Sequence, residues 1–161
     1  MQYRFVTILF LLIFYSALTH AANYQTGLNA YKHGNYDEAL QHWKPLAKQG
    51  ISETVYNLGP INSSHLVREQ LNAMAQFNLG VIYLKGQGVA IDYAESHYWF
   101  NLAAHQLQHV KQKKQAAKFR DDAAKKLTKN QLEKAEHRFR QWKPILVTDK
   151  EQKFAPFGRG F

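Results

Sequence analysis

A chain of 161 residues is long enough to bury a core as one domain, and its 45% apolar content suits a folded protein. Twenty-one Lys and Arg against 12 Asp and Glu give a formal charge of +9, which favours acidic partners such as nucleic acid, anionic lipid or acidic glycans. With no cysteine, disulfide staples, thiolate zinc sites, a cysteine nucleophile and a lipid anchor on an N-terminal cysteine are all excluded.

Residues 1–21 read as a secretory signal peptide. Arg4 and the terminal amine supply positive charge, Phe5 to Leu18 form an apolar run, and Ala21 offers a small residue for cleavage. The alternative is an uncleaved membrane anchor, but the run falls short of the roughly 20 apolar residues that span a bilayer. Cleavage removes only Arg4 among the charged side chains, so +9 becomes +8. Residues 24–50 then read as a first helix pair. Leu28 and Tyr31 lie on one helix and Gly34-Asn35 makes the turn. Tyr36, Ala39, Leu40, Trp43 and Leu46 continue at the 3–4 spacing of a buried face. Pro45 is expected to kink the second helix or shorten its hydrogen-bond ladder.

Residues 51–72 are irregular. Asn57-Leu58-Gly59 is echoed 21 residues later by Asn78-Leu79-Gly80, and Pro60 stops the earlier copy. The expectation is a degenerate middle unit, a loop at Pro60–Ser63 and one long helix from about Ser64 to Lys85, with Leu71, Ala75, Asn78, Leu79 and Ile82 on one face. Gly86-Gln87-Gly88 ends that helix, since glycine takes the left-handed conformation at no steric cost. Asp92 is placed to cap the next helix, with Glu95 three residues on. That helix carries Ala94, Ser96, Trp99, Leu102 and Ala103, small residues alternating with large ones.

The stretch from Ala75 to Ala104 resembles a Sel1-like repeat, a relative of the tetratricopeptide repeat. The residues that carry the resemblance are Ala75, Leu79, Gly80, Tyr83, Gly86, Gly88, Val89, Asp92, Trp99, Ala103 and Ala104. Ser96 replaces the usual alanine, and Leu107 stands near where such a repeat ends in glycine. Residues 24–50 resemble a tetratricopeptide-type or first Sel1-type repeat, with Tyr31, Gly34, Trp43, Leu46 and Ala47 in the parts of Tyr83, Gly86, Trp99, Leu102 and Ala103. The resemblance, of the exported bacterial type, implies a helical scaffold that binds other proteins.

Residues 108–143 read as closing helices. Ala116, Phe119, Ala123 and Leu127 fall at helical steps, Thr128 to Gln131 forms a capping box, and Leu132, Ala135, Phe139 and Trp142 continue on a last helix. A solenoid needs such an end, because its final repeat otherwise exposes an apolar face. Residues 144–161 lack periodicity and are expected to form a flexible tail. The expected architecture is therefore all-α: a short α-solenoid of antiparallel helix pairs over residues 22–143, with C-terminal capping helices.

Chemistry has little purchase. His105 and His109, four apart, would share a helix face, with His97 two turns back, but Gln106 stands where a zinc hydrolase carries its glutamate. Asp121-Asp122 and Glu133/Glu136 read as solvated carboxylates among lysines and arginines. Gly86-Gln87-Gly88 lacks the third glycine and preceding strand of a nucleotide loop. No catalytic residue, metal site or cofactor is expected. Tyr31, Tyr36, Trp43, Tyr83, Tyr93, Trp99, Phe119, Phe139 and Trp142 read as core.

Two kinds of binding residue remain. Asn29, Lys32, Gln76 and Asn78 are candidates to line an inner groove and hydrogen-bond a protein partner. Lys111, Lys113, Lys114 and Lys118 head a basic run over 111–129 suited to an anionic surface. The functional expectation is an exported adaptor, periplasmic or secreted, that mediates protein–protein interaction. The alternative is an electrostatic binder of anionic lipid or cell-wall polymer, and an enzyme ranks last. Nucleic acid is not an expected partner, because no base-stacking motif accompanies the lysines.

Overall fold

A computed structural model describes residues 23–49 and 63–143. The expected signal peptide, the Pro60 loop and the C-terminal tail lie outside the described residues. Six helices follow in order: α1 (23–32), α2 (Tyr36–Lys48), α3 (Ser63–Lys85), α4 (Tyr93–Gln106), α5 (Val110–Ala124) and α6 (Lys129–Arg140). The described chain is all-α, and its helix pairs stack as a short solenoid.

Glycine turns make the hairpins. Gly34, Gly86 and Gly88 have φ of 80°, 66° and 70°, a region that side chains with a Cβ rarely enter. The second turn lies directly on the first. Tyr31 donates its hydroxyl to Gln87 Oε1 (2.9 Å) and Gln87 Nε2 donates to Tyr36 Oη (3.1 Å). A Cβ on Gly88 would sit 2.8 Å from Tyr36 Cβ.

Each pair closes on small residues. A Cβ on Gly27 would meet the Trp43 indole at 2.5 Å, so α1 lies against that ring. Trp43 is fully buried and donates its indole N–H to Tyr24 O (3.2 Å). Between α3 and α4, a Cβ on Gly80 would stand 2.8 Å from the Phe100 ring, and Ser96 Oγ donates to Gly80 O (3.0 Å). The small-for-small Ser96 thus seals a close helix approach.

One core joins Trp43, Leu46, Ala75, Leu79, Ile82, Trp99 and Leu102 across α2, α3 and α4. A second, under α5, gathers Ala73, Ala103, Ala104, Leu107 and Ala116. Beside it Phe77, Phe100 and Phe119 pack with ring centroids 5.3–5.9 Å apart.

Pro45 lies within α2, which runs on to Lys48; a proline in the last turn removes one ladder bond near an end already short of partners. Two local expectations change. Leu127 is not on α5, which ends at Ala124; it sits in the turn before Thr128. Trp142 lies just past the end of α6 yet still packs on the first core. Leu107 takes an extended conformation (ψ 135°) and is buried, so α4 stops at Gln106 without glycine. Asp92 Oδ1 accepts from the amides of Ala94 and Glu95, each at 2.9 Å, and Thr128 with Gln131 forms the expected capping box.

The last helix packs on α4. Arg138 pairs with Glu95, and its guanidinium carbon lies 3.8 Å from the centre of the Tyr98 ring. Trp99 Nε1 donates to the other Glu95 oxygen (3.0 Å), so one carboxylate ties α6 to the second-repeat tryptophan. No described helix is long and apolar enough to cross a membrane.

Candidate protein-binding groove

The first helices of successive pairs, α1, α3 and α5, border a groove of about 190 Å³. Its apolar surface comes from Met74 and Phe77 of α3 and from Leu107 in the α4–α5 connection. Tyr24 of α1 and Asn78 of α3 lie at one side, and Gln112 and Gln115 of α5 at the other. Phe77 is held rigidly by its contacts with Phe100 and Phe119, so this surface is preformed.

The polar side chains leave hydrogen-bonding capacity pointing outward. Asn78 Nδ2 donates to Tyr24 Oη (3.3 Å), which leaves the tyrosine proton without an acceptor among the described residues. Burial raises the Tyr24 pKa, partly offset by the Asn78 bond, so the hydroxyl stays protonated at neutral pH. Gln70 donates to Gln112 Oε1 (3.1 Å), which fixes that amide with its N–H groups unused among the described residues. Gln115 is exposed.

Of the four groove candidates read from the chain, Asn78 lines the groove. Gln76 does not: it is fully buried, and its Nε2 donates to Ala47 O (3.0 Å) at the end of α2. Two residues apart on a helix means about 200° of rotation, so Gln76 and Asn78 cannot both face the groove. Asn29 and Lys32 are exposed on α1 but do not line it. Phe77, Leu107, Gln112 and Gln115 escaped sequence reasoning. The usable signal was Leu107, an apolar residue where the repeat pattern has glycine.

All four lysines of the basic patch are exposed. Lys111 and Lys118 lie one turn either side of Gln115, at i−4 and i+3, and Lys114 stands between them at i+3 and i−4 respectively. Lys111 and Lys118 flank the groove. Lys113, two residues from Gln115, and Lys114, two residues from Gln112, are rotated away from it.

The histidines do not assemble. His97 is buried, its Nδ1 donates to Arg120 O (3.2 Å), and its Nε2 has no partner among the described residues. Burial pushes its pKa down. His105 and His109 are exposed, and the His105 ring stacks edge-on to Phe139. Among the described residues no three or more His, Cys, Asp or Glu side chains gather as a metal site would require.

The Sel1 repeat model matches residues 16–51 and 73–106. The first match starts inside the expected signal peptide, and its described part is α1 and α2; the second covers most of α3 and all of α4. No curated protein and no solved structure gives a significant match. Sel1 repeats generally mediate protein–protein interactions and serve as non-catalytic scaffolds. Helix pairs, glycine turns and buried tryptophans agree with both matches, and the chain carries two Sel1-like repeats.

Proposed function

We propose that this protein is an adaptor that binds another protein along the groove between α1, α3 and α5. The observation that carries the reading is the groove itself, in which a rigid phenylalanine surface is bordered by tyrosine and glutamine donors left over from internal bonding. Preorganised apolar contact with a few fixed polar groups is what lets a surface gain affinity without an ordering cost.

We further propose that the adaptor acts outside the cytoplasm. The support is the charged start, apolar run and small residue at Ala21. N-terminal sequencing of the protein recovered from the producing cell tests this: a new terminus near Ala22 supports export, and an intact Met1 start in the cytoplasmic fraction contradicts it.

Site-specific photo-crosslinking tests the binding role. A probe replacing Gln115 should give a discrete protein adduct in producing cells, whereas a probe at Lys44, exposed on α2, should not. Equal adducts at both positions would contradict a groove-directed adaptor.

A further inference from the structure

We infer that the partner presents an acidic, extended peptide segment to this groove, with one apolar side chain on Phe77 and Met74 and its carboxylates against Lys111 and Lys118. This deepens the adaptor reading and rests on it. Charge complementarity is the first ground. The residues lining the groove include no carboxylate and no cation, and the α5 rim is cationic.

The second ground is that these lysines are unspent. Among the described residues, five basic side chains farther along are paired: Arg120 with Asp121, Lys125 with Asp122, Lys129 with Glu133, Arg138 with Glu95 and Arg140 with Glu136. Lys111 and Lys118 have no carboxylate of the described residues within ion-pair distance. Within the basic run, Arg120, Lys125 and Lys129 close salt bridges on their own fold, while Lys111 and Lys118 stand open beside the groove.

The third ground is the donor set. The Tyr24 hydroxyl and the amides of Gln112 and Gln115 offer N–H and O–H groups, which suit the carbonyls and carboxylates of an extended acidic chain. A membrane surface fits less well. A helix that binds lipid inserts an apolar face, and the apolar face of α5 is already used: Ala116 and Ala123 are fully buried.

Peptide display on the immobilised chain provides the test, using a random 12-residue library and competing each clone against the Lys111→Glu/Lys118→Glu variant. Circular dichroism of the variant should match the parent, since both side chains are exposed. The expected result is enrichment of Asp and Glu flanking a single apolar residue. The best peptide should lose about tenfold in affinity on charge reversal, and similarly between low and high salt. Selection of neutral or basic peptides that still compete at the groove would overturn the acidic assignment and leave the adaptor reading intact. No groove-competing peptide at all would remove both. Charge-dependent binding to phosphatidylglycerol vesicles with no peptide selected would replace the proposal with a lipid surface.

Discussion

In the first helix pair the central tryptophan is sealed by its own hairpin. Trp43 sits under Gly27, fully buried, and its N–H is taken by the Tyr24 carbonyl. In the second pair Trp99 is also buried, but its N–H goes to Glu95, which is shared with Arg138 of α6. The turns differ as well. Among the described residues nothing comes within 4 Å of a Cβ on Gly34, and Asn35 makes no capping bond with its side chain. Gly88 is pressed onto Tyr36, and Asp92 caps two amides. One repeat plan is therefore stabilised internally in the first copy and by its neighbours in the second. Position in the stack, more than the repeat motif, decides what each residue is worth.

Substitutions can break that comparison. The largest effect is expected for Trp43→Ala, about 3–5 kcal/mol by chemical denaturation, because a fully buried indole is replaced by a cavity. Trp43→Phe should cost more than Trp99→Phe. It removes the buried indole bond to the Tyr24 carbonyl with nothing in its place, whereas Glu95 keeps Arg138. Next come the turns. Gly88→Ala should cost about 2 kcal/mol or more, since left-handed strain adds to the clash with Tyr36, whereas Gly34→Ala should cost about 1 kcal/mol from strain alone. Equal values would mean that the second turn does not rest on the first.

The caps sharpen the contrast at smaller scale. Asp92→Ala should lower stability by about 1 kcal/mol, and Asn35→Ala by less than about 0.5 kcal/mol, measured from thermal midpoints.

The smallest effect concerns pH. His97 lies near Arg120, Asp121 and Glu136, and burial holds its pKa below 6.5. The unfolded chain takes up a proton near pH 6.5 and the folded chain only at lower pH. The histidine therefore costs no stability above about 6.5, and stability falls as pH drops from there towards the folded pKa. His97→Gln should flatten that slope between pH 5 and 7 relative to the parent.

Local features were legible from the chain because their physics is local. Gly34, Gly86 and Gly88 are where a left-handed residue is needed, and Asp92 and Thr128 act on amides two or three residues away. The long α3 was legible from its face pattern, beginning at Ser63 against an expected start of about Ser64. What lay hidden depends on which helices surround a residue. Residues 96–100 of α4 are all buried, because α3, α5 and α6 pack around that helix and erase its periodicity.

Glu69, Asn72 and Gln76 form a buried polar stripe on α3 at i, i+3 and i+7, each with a side-chain oxygen lacking a hydrogen-bond partner among the described residues. Hydrophobic spacing gives no hint of such burial, and so Gln76 reads as a groove residue from the chain alone. The groove itself is assembled from three helices and a connection, so no single segment could announce it.

The central claim is that ligands meet the α1–α3–α5 groove and not the opposite layer of helices. Amide shift mapping of the labelled chain with a display-selected peptide tests it most directly. The account predicts saturable shifts concentrated at Tyr24, Phe77, Asn78, Gln112 and Gln115, with α2 and α6 unmoved. Shifts centred on α2 or α6, with the groove silent, would contradict it.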